Sequence, residues 1–191
     1  MKDRGSSNNE SNYYENPLEY RNRETLKKIT FDEGITTVAN RAFFGCAALT
    51  DVTLPATLTS IGSFAFSGCT ALEEIKLPEG LKTLGESAFY NCSALIGVTI
   101  PSTVTQIPFN TFNCCTGLTE IVIPDTVTYV GSSAFGGCTS LTKVTVPVDI
   151  ATAHAFSNTG KISEIRYTYG TTGVMKDRGS SNNESNYYEN P

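Results

Sequence analysis

Six cysteines and a single histidine are the residues in this sequence with the reactive types that nucleophilic or metal chemistry needs. Five of the cysteines, Cys46, Cys69, Cys92, Cys115 and Cys138, keep a 23-residue step, and Cys114 alone is off that register. A Cys nucleophile needs a base, and His154 is the only imidazole available. His154 lies in the segment ATAHAF, in the irregular part of the chain, where a capping or solvent-facing role suits it better. Zinc would ask for Cys-x-x-Cys pairs or paired histidines, and neither is present. Adjacent cysteines on stacked coils come within disulfide range, yet they would point the same way, so a ladder of buried free thiols is the expectation, with a disulfide as the competing reading. No glycine-rich phosphate loop and no carboxylate pair stands out, so neither catalysis nor a cofactor is expected.

The spacing that governs the cysteines also governs the rest of the chain. Pro55, Pro78, Pro101, Pro124 and Pro147 keep the 23-residue step, as do Leu26, Leu49, Leu72, Leu95, Leu118 and Leu141, and Phe43, Phe66, Phe89, Phe112 and Phe135. Such self-similarity marks a stacked-repeat architecture, because a unit this small cannot bury its apolar face alone. Each unit reads as three pieces. The first, such as Leu49 to Pro55, alternates apolar residues (Val52, Leu54) at the period of a strand and ends at proline, which lacks the donor for a further ladder bond. The second carries two apolar residues three apart, such as Leu58 and Ile61 or Val127 and Val130, followed by Gly62, Gly85 or Gly131, read as sharp turns. The third, Ala-Phe-x-Gly/Asn-Cys, predicts a short helical turn with Phe and Cys directed inward, and Gly-Cys-Thr or Asn-Cys-Ser turns the chain into the next strand.

Parallel strands about 4.8 Å apart would then make a rod roughly 30 Å long from coils starting at Leu26, Leu49, Leu72, Leu95, Leu118, Leu141 and Ile162. The sixth coil is two residues short, with Thr159 where cysteine belongs, and the seventh is a lone strand, Ile162 to Tyr167. The pattern L-x-x-V-x-L-P-x-x-L-x-x-I-G-x-x-A-F-x-G-C-x-x, read from Leu49 to Ala71, resembles the BspA-like leucine-rich repeat family over about residues 26 to 167. Asp32 in place of Pro, Thr111 in place of Ala and the shortened sixth coil depart from it. The resemblance implies a leucine-rich-repeat solenoid, a right-handed coil of parallel strands. It also implies a surface or secreted protein of bacteria or parasitic protists that attaches to host proteins or other cells, and it brings no catalytic residues. The expected organisation is a linker or cap over 1–25, the solenoid over 26–167 and a second linker over 168–191.

A longer repeat overlies the short one. Residues 1 to 17, MKDRGSSNNESNYYENP, recur letter for letter as residues 175 to 191, which sets a 174-residue period. Three readings stay open: one period of a tandem array or fibre, an engineered duplication, or a single protein with duplicated tails. Under the first, the sequence joining two solenoids is residues 168–174 followed by 1–25. The candidate interface residues there are Tyr13, Tyr14, Leu18 and Tyr20, with the second-copy tyrosines Tyr187 and Tyr188, since tyrosine joins an apolar body to a polar tip. The expected partner is another copy, end to end, and a host or cell-surface protein is the alternative.

Composition bounds the remainder. The net charge of -5 gives no electrostatic reason to bind nucleic acid. No apolar run approaches the roughly 18 residues of a spanning helix, so membrane insertion is not expected. The start is polar and lacks the apolar stretch of a signal peptide, so if Met1 is the initiator nothing there directs export. The outward strand columns read Thr30, Thr53, Lys76, Thr99, Val122, Thr145, Arg166 and Lys28, Asp51, Glu74, Gly97, Glu120, Lys143, Glu164, a face of threonines and mixed charges that reads as structural. Asn9-Glu10-Ser11, its copy at Asn183, and Asn91-Cys92-Ser93 fit the glycosylation triplet.

Overall fold

The structure is a computed structural model that describes residues 22–148, 150, 152 and 154–168. Each coil contributes a strand of the first ladder: β1 (Lys28–Thr30), β3 (Asp51–Thr53), β5 (Glu74–Lys76), β7 (Gly97–Thr99), β9 (Glu120–Val122), β11 (Lys143–Pro147) and β12 (Glu164–Thr168). All pairing is parallel and in register, Lys28 opposite Asp51, Glu74 opposite Gly97, and Lys143 opposite both Glu120 and Glu164. Ladder pairing runs in three groups, β1–β3, β5–β7 and β9–β11–β12.

A second ladder lies on the next side of the coil. It consists of β2 (Thr37–Val38), β4 (Ser60–Ile61), β6 (Thr83–Leu84), β8 (Gln106–Ile107) and β10 (Tyr129–Val130), again parallel. The second member of each such apolar pair, Ile61 or Val130, therefore lies in a short strand, which the spacing alone did not reveal.

The third piece corrects the expectation of a helical turn. Its amide groups alternate. Phe43, Phe66, Phe89, Phe112 and Phe135 donate to the carbonyls of Ala65, Ala88, Thr111, Ala134 and Ala155 in the coil ahead, at 2.7 to 2.9 Å. The cysteine three residues after each phenylalanine, Cys46 to Cys138, donates back to that phenylalanine's own carbonyl at 3.2 to 3.3 Å. A helix would direct every amide along its own axis. Here every second amide bonds to the next coil, giving a third hydrogen-bonded side. The alternation demands left-handed residues at two places per coil. One is filled by Arg41, Phe64, Ser87, Asn110, Ser133 and His154, the other by Gly45, Gly68, Asn91, Cys114, Gly137 and Asn158. Glycine and asparagine suit the second place, because they carry little or no penalty at positive φ. Cys114 is off the cysteine register because it occupies this turn position.

Gly62, Gly85 and Gly131 serve a different purpose from the one their sequence context suggests, and they are absent from the positive-φ residues. A methyl on Gly85 would lie 2.2 Å from the Ser63 amide nitrogen, and one on Gly131 would lie 2.5 Å from that of Phe109. They allow adjacent backbones to approach.

The interior is a set of columns. Leu49, Leu72, Leu95, Leu118 and Leu141 are fully buried, and Phe43, Phe66, Phe89, Phe112, Phe135 and Phe156 stack with centroids 5.2 to 5.5 Å apart. Phe31 meets the end of that stack edge-on at 5.7 Å. Thr111, which replaces alanine, is buried and its hydroxyl donates to the Pro108 carbonyl at 2.8 Å. Hydroxyls also stitch coils from outside. Thr50, Thr59, Thr70, Thr128 and Thr142 each donate to the carbonyl at the equivalent position of the coil before.

Candidate functional site

The cysteine ladder is the first candidate, and its geometry is structural. All six cysteines are free thiols, and the five in register are buried. Cys69, Cys92, Cys115 and Cys138 donate their S–H to the carbonyls of Phe43, Phe66, Phe89 and Phe112 in the coil behind, at 3.2 to 3.4 Å. Each of those carbonyls also receives the amide of its own coil's cysteine, so both of its lone pairs are used. Burial pushes the thiols of Cys92 and Cys138 up to about 12. Burial first, and then the neighbouring thiols, pushes Cys69 and Cys115 up as well. A thiol held protonated is a weak nucleophile and a poor metal ligand. Cys114 is half-buried, and its S–H donates to Asn113 Oδ1 at 2.9 Å.

His154 is exposed, at a left-handed turn position, and its carbonyl accepts the Ser133 amide at 2.7 Å. Its place in the fold is thus a rung of the turn ladder. Among the described residues no group of three His, Cys, Asp or Glu could hold a metal ion. Among the same residues no helix is long and apolar enough to cross a membrane. Asn91 is exposed at a turn, whereas Asn9 and Asn183 lie outside the described residues.

The outer face of the first ladder carries the expected columns. Lys28 pairs with Asp51 at 2.6 Å and Lys143 with Glu164 at 3.5 Å, both exposed. Such pairs are worth little each, up to about 1 kcal/mol, so they specify register more than stability. A shallow cavity of about 400 Å³ lies here, lined by residues 50–54, Glu74 and Lys76. Its charged groups, Asp51, Glu74 and Lys76, are of both signs.

Two further surfaces stand out. The turn side of coils one to four exposes Phe44, Tyr90 and Phe109, and Arg41 lies over the rings of Phe44 at 5.8 Å and Phe64 at 5.0 Å. Sequence reading missed this edge because Phe44 and Tyr90, though they share a repeat position, are separated there by Ser67, and Phe109 lies at a different position of its coil. The other surface is the pair of ends. Leu26 and Ile29 at one end and Ile162 and Ile165 at the other are only half-buried, although they continue the apolar columns of the core. The candidate interface residues Tyr13, Tyr14, Leu18, Tyr20, Tyr187 and Tyr188 lie outside the described residues.

The coil geometry, with one apolar column per repeat position, defines a leucine-rich-repeat solenoid. The chain belongs to the BspA-type leucine-rich repeat family, whose model matches residues 19–117 and 105–177 in six copies. Among solved structures it is similar to a leucine-rich repeat protein of T. pallidum, 29% identical with a TM-score of 0.63, covering 78% of this chain and 77% of that one. It is also similar to a leucine-rich cell surface protein of Faecalibacterium prausnitzii, 23% identical with a TM-score of 0.49, covering 81% of this chain and 64% of that one. A leucine-rich repeat protein of Bacteroides ovatus is 17% identical with a TM-score of 0.43, covering 75% of this chain and 61% of that one. No relative matches among the curated proteins.

Proposed function

We propose that this chain is a non-enzymatic structural protein of the cell surface, whose 174-residue units join end to end into a fibre or surface array. The observation that carries this reading is the identity of residues 1–17 with 175–191, a period that contains one whole solenoid. The half-buried Leu26 and Ile162 support it, because their column is fully buried from Leu49 to Leu141 and an end coil lacks the neighbour that buries its face. Extracellular placement rests on what the family resemblance implies. The non-enzymatic part rests on thiols held protonated by burial and on a histidine used as a turn residue.

In this reading Tyr13, Tyr14, Leu18, Tyr20, Tyr187 and Tyr188 bridge one solenoid to the next. Deleting residues 1–17 should abolish assembly, followed by sedimentation, while the far-ultraviolet spectrum and melting of the solenoid persist. Undiminished assembly of the truncated unit would remove the bridging role.

A second reading, an adhesion module, draws on the exposed aromatic edge. Phe, Tyr and Arg are the residue types that anchor protein interfaces. If this edge binds a protein on host or partner cells, Phe44→Ala with Phe109→Ala should remove attachment of the purified protein to such cells. Attachment equal to that of the unaltered protein would set the second reading aside.

A further inference from the structure

Resting on the end-to-end reading, we infer that the units stack coil on coil, with the free edge of β12 receiving the free edge of β1 from a second copy in the same parallel register as every internal pair. Among the described residues β1 pairs only with β3, and β12 only with β11; β3, β5, β7 and β9 also have one unpaired edge, but each of those faces a neighbouring coil, whereas no described strand lies beyond β1 or β12. Unpaired edges are templates for a further strand.

The residues on the two edges match. In register, Glu164 faces Lys28 of the second copy. The charge order along the ladder then reads Glu120, Lys143, Glu164, Lys28, Asp51, alternating without interruption across the junction. Inside the chain the same order already produces the ion pairs Lys143–Glu164 at 3.5 Å and Lys28–Asp51 at 2.6 Å. The next position sets Ile165 on Ile29, extending an apolar column that is buried at Ile75, Ile121 and Val144 and half-buried at Val52 and Val98. Two positions further on, Tyr167, 51% exposed, is set on the half-buried Phe31. Ile162 likewise meets Leu26, extending a leucine column that is fully buried between Leu49 and Leu141. One registration thus satisfies the charge and the apolar columns together, whereas a slip by a single residue would set Glu164 against Ile29 and turn charges inward.

A continuous chain can make this junction. The 174-residue period puts the next Lys28 a 38-residue step after Glu164, against the 23-residue step of an ordinary coil. The excess is a 15-residue insertion into one coil, and such insertions are accommodated as loops on a solenoid.

The test uses the full 191-residue chain carrying Cys114→Asn, since Asn91 and Asn158 hold the equivalent turn position. Nitroxide labels are placed on Thr30→Cys and Arg166→Cys. Within one copy the labelled positions are six rungs apart, about 29 Å, but across the inferred junction they are one rung apart, about 5 Å. Assembly should therefore broaden the spectrum strongly, and neither singly labelled protein should show it. In unlabelled chains Lys28→Ala or Glu164→Ala alone should raise the concentration needed for assembly by roughly threefold, and the two together should raise it no further than either alone, because both remove the same pair. Fibres without broadening, or two single effects that simply add, would overturn the register and leave end-to-end joining standing. A chain that does not assemble at any concentration would overturn both.

Discussion

Gly85→Ala is expected to destabilise the solenoid by about 3 kcal/mol, and Gly97→Ala to stabilise it by up to about 1 kcal/mol. Both change one hydrogen to a methyl in neighbouring coils of the same chain. At Gly85 the methyl would sit 2.2 Å from the Ser63 nitrogen, 2.4 Å from the Gly62 carbonyl carbon and 2.6 Å from the Ser63 Cα. All three are backbone atoms, so the methyl cannot be accommodated by a side-chain rotation. Coils two and three would have to part by about 1 Å there, which forfeits a quarter to a half of the contact energy across the gap. Bonds between these coils on either side of the clash include Phe64 N–H to Glu86 O at 3.0 Å and Thr83 N–H to Thr59 O at 3.2 Å. Losing both costs about 2 kcal/mol, and loosened contact between Phe66 and Phe89 adds about 1 kcal/mol. At Gly97 nothing lies within 4 Å, so the methyl only restricts the unfolded chain. Urea unfolding followed by circular dichroism reads both. With a slope of about 2 kcal/mol/M, the Gly85 variant should unfold about 1.5 M earlier than the parent. A Gly85 variant within about 0.5 kcal/mol of the parent, or two shifts of the same sign, would refute the argument that these glycines are set by coil contact.

The buried thiols predict alkaline instability. An unfolded thiol loses its proton at about 8.5, while burial raises Cys92 and Cys138 to about 12 and raises Cys69 and Cys115 too. The folded state keeps protons that the unfolded state releases, so stability is intact below about pH 8.5 and falls as pH rises toward 12, by about 1.4 kcal/mol per pH unit for each thiol. Urea midpoints measured at pH 8 and pH 10 should therefore differ, and replacing Cys92 and Cys138 with alanine should shrink the difference, leaving the part due to Cys69 and Cys115. A midpoint that does not fall between those pH values would contradict the burial of the ladder. With Ellman's reagent under native conditions Cys114 should react first, and the five ladder thiols should wait for denaturant. Phe89→Ala should cost about 4 kcal/mol because its ring is stacked on both sides, and Phe31→Ala about 1.5 kcal/mol because its ring touches the stack on one side only. Equal costs for the two phenylalanines, read from the same urea curves, would be inconsistent with the column.

Much of this architecture was legible because one spacing carries every core column. Leu, Phe, Cys and Pro recurring together specify the length of the coil, and the alternation of Val52 and Leu54 specifies the strand that stacks. The second ladder was hidden because Ser60–Ile61 and its equivalents are two residues long, too short for an alternating pattern. The turn side was misread as helical because Ala-Phe-x-Gly-Cys has helical apolar spacing. Its left-handed residues come from amides bonding to the next coil, and Arg41, Phe64, Ser87, Asn110, Ser133 and His154 share no side-chain type that would betray them. The aromatic edge was missed because Phe44 and Tyr90 share a register interrupted by Ser67, while Phe64 and Phe109 each lie at other positions.

Cryo-electron microscopy of the native material, with intact mass after denaturation, bears on the proposal that these units build a fibre. Seven strand rungs per unit at about 4.8 Å predict filaments with an axial repeat of about 34 Å as well as a layer line at about 4.8 Å. A mass in multiples of the 174-residue unit would make the joints covalent. Isolated particles with the mass of the 191-residue chain would contradict the proposal.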